Sequence, residues 1–421
     1  MSLFRISPLY LLSALAALFP YFRVGSFEGY NQPYTLFIPA LAYLVHGKRI
    51  FESIGKQTAS VLLILAIPSI FIFLFTSDSF QSYKYLFACV SPLFFVPVFK
   101  ATFQQTSSRI AFLLRISLYL WTLMGALQLV SGSQIISLVV SPEVGIDIAA
   151  SNRGVLSFAP EPTHYAFTAI IIAATLSIFA RVSALDLLAC LASAVFFAQS
   201  SSAVLVFVLS CLLLVTGWLS SILMKAVRQS KFSKRQLQQI IIGALGIVVF
   251  SLFIFLFLSE SRIAALVGSS LQLARDTGYG SVSLAQSTAG FDFSVLARLN
   301  GIFLSTKLIF THLLFPFGFS HLTWTSYAEQ SIYYPAISLV GPSSGYLTLL
   351  YLAGFFAVPF FVEYFKAVIN NLLTMSFLQQ FLVLSSVVVF VFQFSLSTPI
   401  FSLFYAALLV RPSPRLNGSE A

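Results

Sequence analysis

Apolar runs about as long as a membrane crossing alternate along this chain with short polar breaks, and that pattern predicts helices. A crossing helix needs about 20 mostly apolar residues. Gln57–Ser77, Ile116–Pro142 and Gln236–Ser259 are charge-free and each suits one crossing. Leu187–Met224 suits two, with Gln199-Ser200-Ser201-Ser202 as the turn between them, and Ala367–Val410 suits two more, with a weaker turn near Gln393–Ser395. The predicted spans are 6–22, 33–46, 58–76, 82–99, 111–130, 162–180, 184–198, 203–223, 239–258, 344–364, 372–391 and 395–410. The first is taken as a span and not as a cleaved leader, because Pro20, Tyr21, Phe22 and Arg23 make a poor cleavage site.

Composition turns this pattern into a class. Of the 421 residues, 58% are hydrophobic and 9% charged, and mean hydropathy is +0.93. A soluble domain is nearer half apolar and one quarter charged, and could not bury this much apolar surface. The expected fold class is therefore an all-α, polytopic integral membrane protein with about twelve transmembrane helices. Residues 1–421 form a single transmembrane domain. Cys89, Cys190 and Cys211 sit in apolar runs without metal-ligand spacing, so they read as apolar fillers.

The net charge of +10 reads as a topology signal and not as a nucleic-acid footprint. With both termini inside, Arg5, Lys48, Arg49, Lys56, Lys100, Arg109, Arg115, Arg181, the run Lys225–Arg235, Lys366, Arg411 and Arg415 fall on the inner side. Arg23, Lys84, Arg153, Arg262, Arg275, Arg298 and Lys307 are left outside. Two outer segments follow from this topology: 131–161, and 259–343, which is far longer than a connection requires. Leu308–Ala328 lacks charge but holds His312, Pro316 and His321. It is read as an interfacial or re-entrant helix within that partly helical outer loop.

Three stretches carry candidate chemistry. Ser151–Ala166 reads SNRGVLSFAPEPTHYA and places Arg153, Glu161 and His164 at the outer end of the sixth span. Pro162 suits a first helical turn, and a carboxylate just before it complements the helix dipole. Glu161 thus reads either as a helix-start residue or as a functional acid. Ala297–His321 opens an amphipathic helix at Arg298 and closes it at Pro316-Phe317-Gly318. Arg298 either faces lipid phosphates or binds a substrate anion, for which a guanidinium fork is well shaped. Gly341–Gly354, GPSSGYLTLLYLAG, starts a span through a small polar mouth. Trp324, Tyr327, Tyr333 and Tyr334 suit either an aromatic belt or sugar stacking.

In this order, these stretches resemble the O-antigen polymerase/O-antigen ligase superfamily of bacterial cell-surface polysaccharide enzymes. The matching positions are Arg153, Gly154, Glu161, Pro162 and Ala166. Further on they are Arg298, Pro316 and Gly318, with Phe317 in the place of a leucine, and then Tyr346, Leu347 and Gly354. Two spans after Glu161 the family has a Ser-Arg-Ser type helix start; Gln199–Ala203 here reads QSSSA, without the arginine. The His-Asn pair usual in ligases is replaced by Pro342-Ser343-Ser344, which favours polymerase over ligase.

The resemblance implies an enzyme of the bacterial inner membrane with both termini cytoplasmic. It would transfer a growing glycan from undecaprenyl diphosphate to a new lipid-linked repeat unit, on the outer face. The implied roles are diphosphate binding for Arg153 and Arg298, and acid–base work for Glu161 and His164. His321 and Asp292 are weaker candidates, and Gly318 belongs to the turn. No metal or other cofactor is implied, since fixed cations can stabilise the leaving diphosphate. Implied partners are the lipid-linked glycans, membrane lipids, a chain-length regulator and a flippase, with no nucleic acid. The alternatives are a ligase acting on a lipid A core or protein acceptor, and a transporter of lipid-linked glycans. A transporter would carry polar groups at mid-membrane on several helices.

Overall fold

The computed structural model describes residues 8–22, 34–75, 80–131, 154–228, 293–312, 324, 326, 344–392 and 398–410. Every regular element among them is a helix. In chain order the α-helices are α1 (Pro8–Leu18), α2 (Tyr34–Ile54), α3 (Lys56–Phe75), α4 (Phe80–Ser131), α5 (Pro162–Phe179), α6 (Ala184–Leu191), α7 (Ser201–Arg228), α8 (Phe293–Thr311), α9 (Gly345–Ala353), α10 (Val358–Leu372), α11 (Phe377–Phe392) and α12 (Pro399–Leu409). A π-helical segment, Ala192–Phe197, extends α6, and a 3-10 turn, Gly354–Ala357, joins α9 to α10. The predicted span at 239–258 lies outside the described residues.

Helix α5 is the hub. Its sequence is apolar all round, and a helix with no polar face must be buried on every side. Every residue of α5 except Thr163 and His164 is buried, and α4, α11 and α12 pack around it. Both ends are tied to neighbours. At the C-terminal end, Gln379 Nε2 donates to Ser177 O at 2.8 Å, and Phe103 packs on Phe179 with ring centroids 4.6 Å apart. Beyond it, Arg115 grips Asp186 through Nε at 3.0 Å and Nη2 at 3.0 Å, and Tyr119 donates to the same carboxylate at 2.7 Å. Asp186 also completes a capping box with Ser183 at the start of α6, so this buried charge is fully hydrogen-bonded.

The membrane character is visible as coarse geometry. Arg109–Ser131, Pro162–Phe179, Ser202–Leu219 and Gly345–Leu372 are long and apolar enough to cross a bilayer, and Tyr34–Ile54 with Lys56–Pro68 forms a pair bent by 111°. Three expected elements take a different form. The spans predicted at 82–99 and 111–130 belong to one uninterrupted helical run, α4. Lys100–Ile110 contains no glycine or proline to end a helix. The expected loop after 46 is helical through Ile54, with a kink at His46 (φ −127°, ψ 18°).

The third difference is in the predicted span 344–364. The hydroxyl of Tyr346 donates to that of Tyr364 at 3.0 Å, and the Tyr346 ring also meets Phe361 and Phe365. In a straight helix, positions eighteen residues apart are separated by about 27 Å. The segment therefore folds back on itself between α9 and α10, where Gly354 turns the chain with φ 55° and ψ −134°. Length and hydropathy describe a rod here; the tyrosine contact describes a hairpin.

A second polar cluster lies between α3, α4 and α10. Thr58 Oγ1 donates to Glu363 Oε1 at 2.5 Å, and Lys100 Nζ donates to Ile54 O at 2.9 Å.

Candidate functional site

The segment 154–161 leads into α5 and is fastened along its length. Val155 N donates to Phe197 O at 2.9 Å. Gln128, 2% exposed on α4, accepts from the backbone N–H groups of Leu156 and Ser157 at 3.1 and 2.6 Å and donates to Ser157 O at 2.8 Å. Ser157 Oγ donates to Trp121 O at 2.7 Å, and Trp121 Nε1 donates to Leu18 O at 3.0 Å. A loop inside a helical bundle needs such partners, because its backbone groups have no ladder of their own. Here one glutamine and one serine supply them.

The same segment meets the turn before α7. The π-helical segment ends with Ala198 N donating to Ser193 O at 3.0 Å. A Cβ on Gly154 would stand 2.5 Å from Ala198 O and 2.8 Å from Phe197 O, and Gly154 has φ +91°. Only glycine fits that backbone and that space. The expected tight turn is present, with Ser200 Oγ accepting from Ala203 N at 3.3 Å. Among the described residues, the non-glycine positions with positive φ are Ser157 (53°) and Gln199 (46°), both at this junction. Strained backbone of this kind concentrates at functional sites.

Glu161 is the residue that precedes α5, extended at φ −141° and ψ 151°, with Pro162 in the first turn and no cap from its own side chain. The predicted helix start is therefore correct, and the Glu161 carboxylate is not consumed as a cap. Glu161 and His164 are both partly exposed, three positions apart. The His164 ring stands edge-to-face on Tyr21, with centroids 6.0 Å apart and planes at 77°. The Tyr21 hydroxyl lies beside Thr168 and within electrostatic reach of Glu161. Beneath them Trp121 gathers Phe19, Tyr21, Phe158 and Tyr165 into one aromatic nest. Tyr165 OH in turn donates to Ser193 Oγ at 3.0 Å, tying α5 to the π-helical segment.

The structure thus sets Gly154 and Val155 against Phe197 and Ala198, just before the Gln199–Ala203 turn, and carries Glu161, Pro162 and His164 further along the same segment into α5. Arg153, Asp292, Gly318 and His321 lie outside the described residues. Arg298 falls on α8, whose backbone is described while the Arg298 side chain is not. Helix α8 buries Gly301, Leu304, Ser305, Leu308 and Ile309 and exposes Phe303, Lys307 and Phe310, a one-sided pattern, but it runs Phe293–Thr311, so Arg298 lies inside the helix and does not open it. It packs on α9. Trp324 is neither belt nor sugar platform: it is 2% exposed and stands edge-to-face on Tyr351 at 5.5 Å.

Tyr21, Trp121, Gln128 and Ser157 were not singled out in the sequence. Only the loop that folds onto them gives these residues a task. Among the described residues no group of three His, Cys, Asp or Glu is placed to hold a metal ion. No protein family, curated protein or solved structure matches this chain.

Proposed function

We propose that this chain is a membrane-embedded glycosyltransferase that polymerises lipid-diphosphate-linked glycan repeat units, as the O-antigen polymerase resemblance implies. The Glu161 end of α5 faces outward, both termini are cytoplasmic, and the chain crosses the bacterial inner membrane about twelve times. The observation that supports the reading is the junction of Gly154 and Val155 with Phe197 and Ala198. It fastens the Gly154–Pro162 stretch of the resemblance beside the turn where this chain departs from the family pattern, and the fastened segment leads to Glu161 and His164, both partly exposed.

In the reaction, a hydroxyl of the incoming unit attacks the anomeric carbon of the growing chain. The new carbon–oxygen bond forms as the bond to the lipid diphosphate breaks. The hydroxyl proton passes to Glu161 or His164, which meets the requirement for a base within hydrogen-bond reach. The lipid diphosphate leaves with its bonding electrons, and Arg153 and Arg298 stabilise its charge. The implied partners are the undecaprenyl-diphosphate-linked donor and acceptor, bilayer lipids, a chain-length regulator and a flippase.

The test is complementation of a strain lacking the gene, read as the ladder of surface glycan lengths. Glu161→Gln, Arg153→Ala and Arg298→Ala are each expected to collapse the ladder to a single capped unit. Failure of the unmodified gene to restore the ladder overturns the reading, and a full ladder from both Arg153→Ala and Arg298→Ala removes the diphosphate clamp. Polymer retained on the carrier lipid without transfer to a core acceptor would identify a ligase instead.

A further inference from the structure

The end of α1 reaches the Glu161–His164 pair, and this contact assigns a role to a residue outside the resembling stretches. Tyr21 is 4% exposed, although it lies just past the last residue of α1. Three features hold it in place. Trp121 Nε1 binds the Leu18 carbonyl three residues earlier, the Trp121 ring meets Tyr21 at 6.5 Å and 89°, and Phe19 stacks on Trp121 at 6.1 Å. The placement of Tyr21 is therefore set by the core around Trp121. His164 sits in the first turn of α5, partly exposed as a residue but with its Nδ1 buried.

We propose that Tyr21 is the positioning residue of this site: its ring fixes the plane of the His164 imidazole, and its hydroxyl, beside that of Thr168, forms the polar floor under Glu161 and His164. The physical reason lies in the geometry of proton transfer. An imidazole accepts a proton only along the in-plane lone pair of one ring nitrogen, so its orientation decides whether it can serve an acceptor hydroxyl. An edge-to-face partner selects one orientation at little entropic cost, because a buried tyrosine is itself already fixed. The hydroxyls of Tyr21 and Thr168 are buried next to each other, and neither has a further partner among the described residues. Such groups sit where a water or a ligand hydroxyl completes the set.

This inference rests on the glycosyltransferase reading for its chemical meaning, but its first test does not. The purified full-length chain is treated with diethyl pyrocarbonate, and carbethoxylation of His164 and His46 is followed by mass spectrometry. His46 stacks on Tyr10 at 5.2 Å, away from Tyr21, and serves as the internal control. Tyr21→Leu is expected to change the His164 rate several-fold with the His46 rate unchanged, and Tyr21→Phe to change it far less. An unaltered His164 rate in a Tyr21→Leu protein whose His46 rate is also normal overturns the proposal. If Tyr21→Leu does not fold, Tyr21→Met, whose flexible side chain fills irregular gaps, is judged by the same two rates.

The second test is turnover on a lipid-linked repeat unit in proteoliposomes. Misplacing a catalytic group by about 1 Å costs on the order of a hundredfold, so Tyr21→Leu is expected to lower kcat by tens-fold with KM little changed, and Tyr21→Phe to recover most of the loss. A loss confined to KM overturns the positioning role. The two ideas can fail separately. No turnover by the unmodified chain removes the glycosyltransferase reading and leaves the His164 rates to decide the contact, while an active unmodified chain with unaltered Tyr21 variants removes only this inference.

Discussion

Gly154 lies against the carbonyl of Ala198 so closely that a β-carbon would stand 2.5 Å from its oxygen. The contact joins the strand of chain that leads into α5 to the turn that leads into α7, and the geometry of the Glu161 end depends on it. Gly154→Ala must both adopt φ +91° and push the Ala198 carbonyl away. The left-handed backbone alone costs about 1–3 kcal/mol. The purified variant is expected to melt several degrees lower and to support no glycan ladder. Gly217→Ala, an exposed helical position with nothing within 4 Å of the added carbon, is expected to be neutral or slightly stabilising. Equal melting temperatures for Gly154→Ala and the unmodified protein would show that the junction yields.

Gln128 is expected to be the most sensitive uncharged polar residue of α4. Replacement by leucine leaves the N–H groups of Leu156 and Ser157 and the Ser157 carbonyl without their partner. Each stranded buried group costs about 1–3 kcal/mol, so Gln128→Leu should lose more than about 2 kcal/mol of stability. Thermal unfolding in detergent measures it, and a loss below that figure would mean the loop finds other partners.

The hairpin between α9 and α10 can be tested by distance. In a background without Cys89, Cys190 and Cys211, Tyr346→Cys with Tyr364→Cys is expected to cross-link with a short bismaleimide. A straight helix would hold these positions about 27 Å apart and give no product.

Arg115→Ala strands the Asp186 carboxylate, whose side chain is 0% exposed. Breaking a buried pair from one side costs about 3–5 kcal/mol, and the single variant should be strongly destabilised. The double variant Arg115→Met, Asp186→Asn removes the uncompensated charge and is expected to regain at least half of the loss. A double variant as unstable as the single one would argue that hydrogen bonds to Tyr119 and Ser183 matter more than the charge.

The helical class and the start of α5 are legible in the sequence, and the reasons are local. Pro162 suits a first helical turn and follows a polar, glycine-containing stretch, so the start of α5 at 162 was legible locally, whereas Pro39, Pro68, Pro92 and Pro97 lie inside helices. The one-sided burial of α8 followed from apolar spacing, and the turn at Gln199–Ser202 from a polar break in a long apolar run. What could not be read depended on partners distant in the chain. Nothing in Lys100–Ile110 marks a break, so helix continuity there contradicted the even spacing of spans. The fold-back at Gly354 leaves no mark in hydropathy, because both arms are apolar and meet through two tyrosines.

By itself the sequence determined the membrane class, the helical character and the candidates at the Glu161 end, because bulk apolarity, proline and charge act through a few adjacent residues. Only the tertiary structure decided that Gly154 must be glycine and that Gln128 and Trp121 hold the loop. It alone set Tyr21 against His164 and buried Trp324 in the core. Those outcomes depend on which surfaces meet. The free energy of a buried contact is set by the neighbour that fills the space or completes the hydrogen bond, and that neighbour is chosen by packing across the whole bundle.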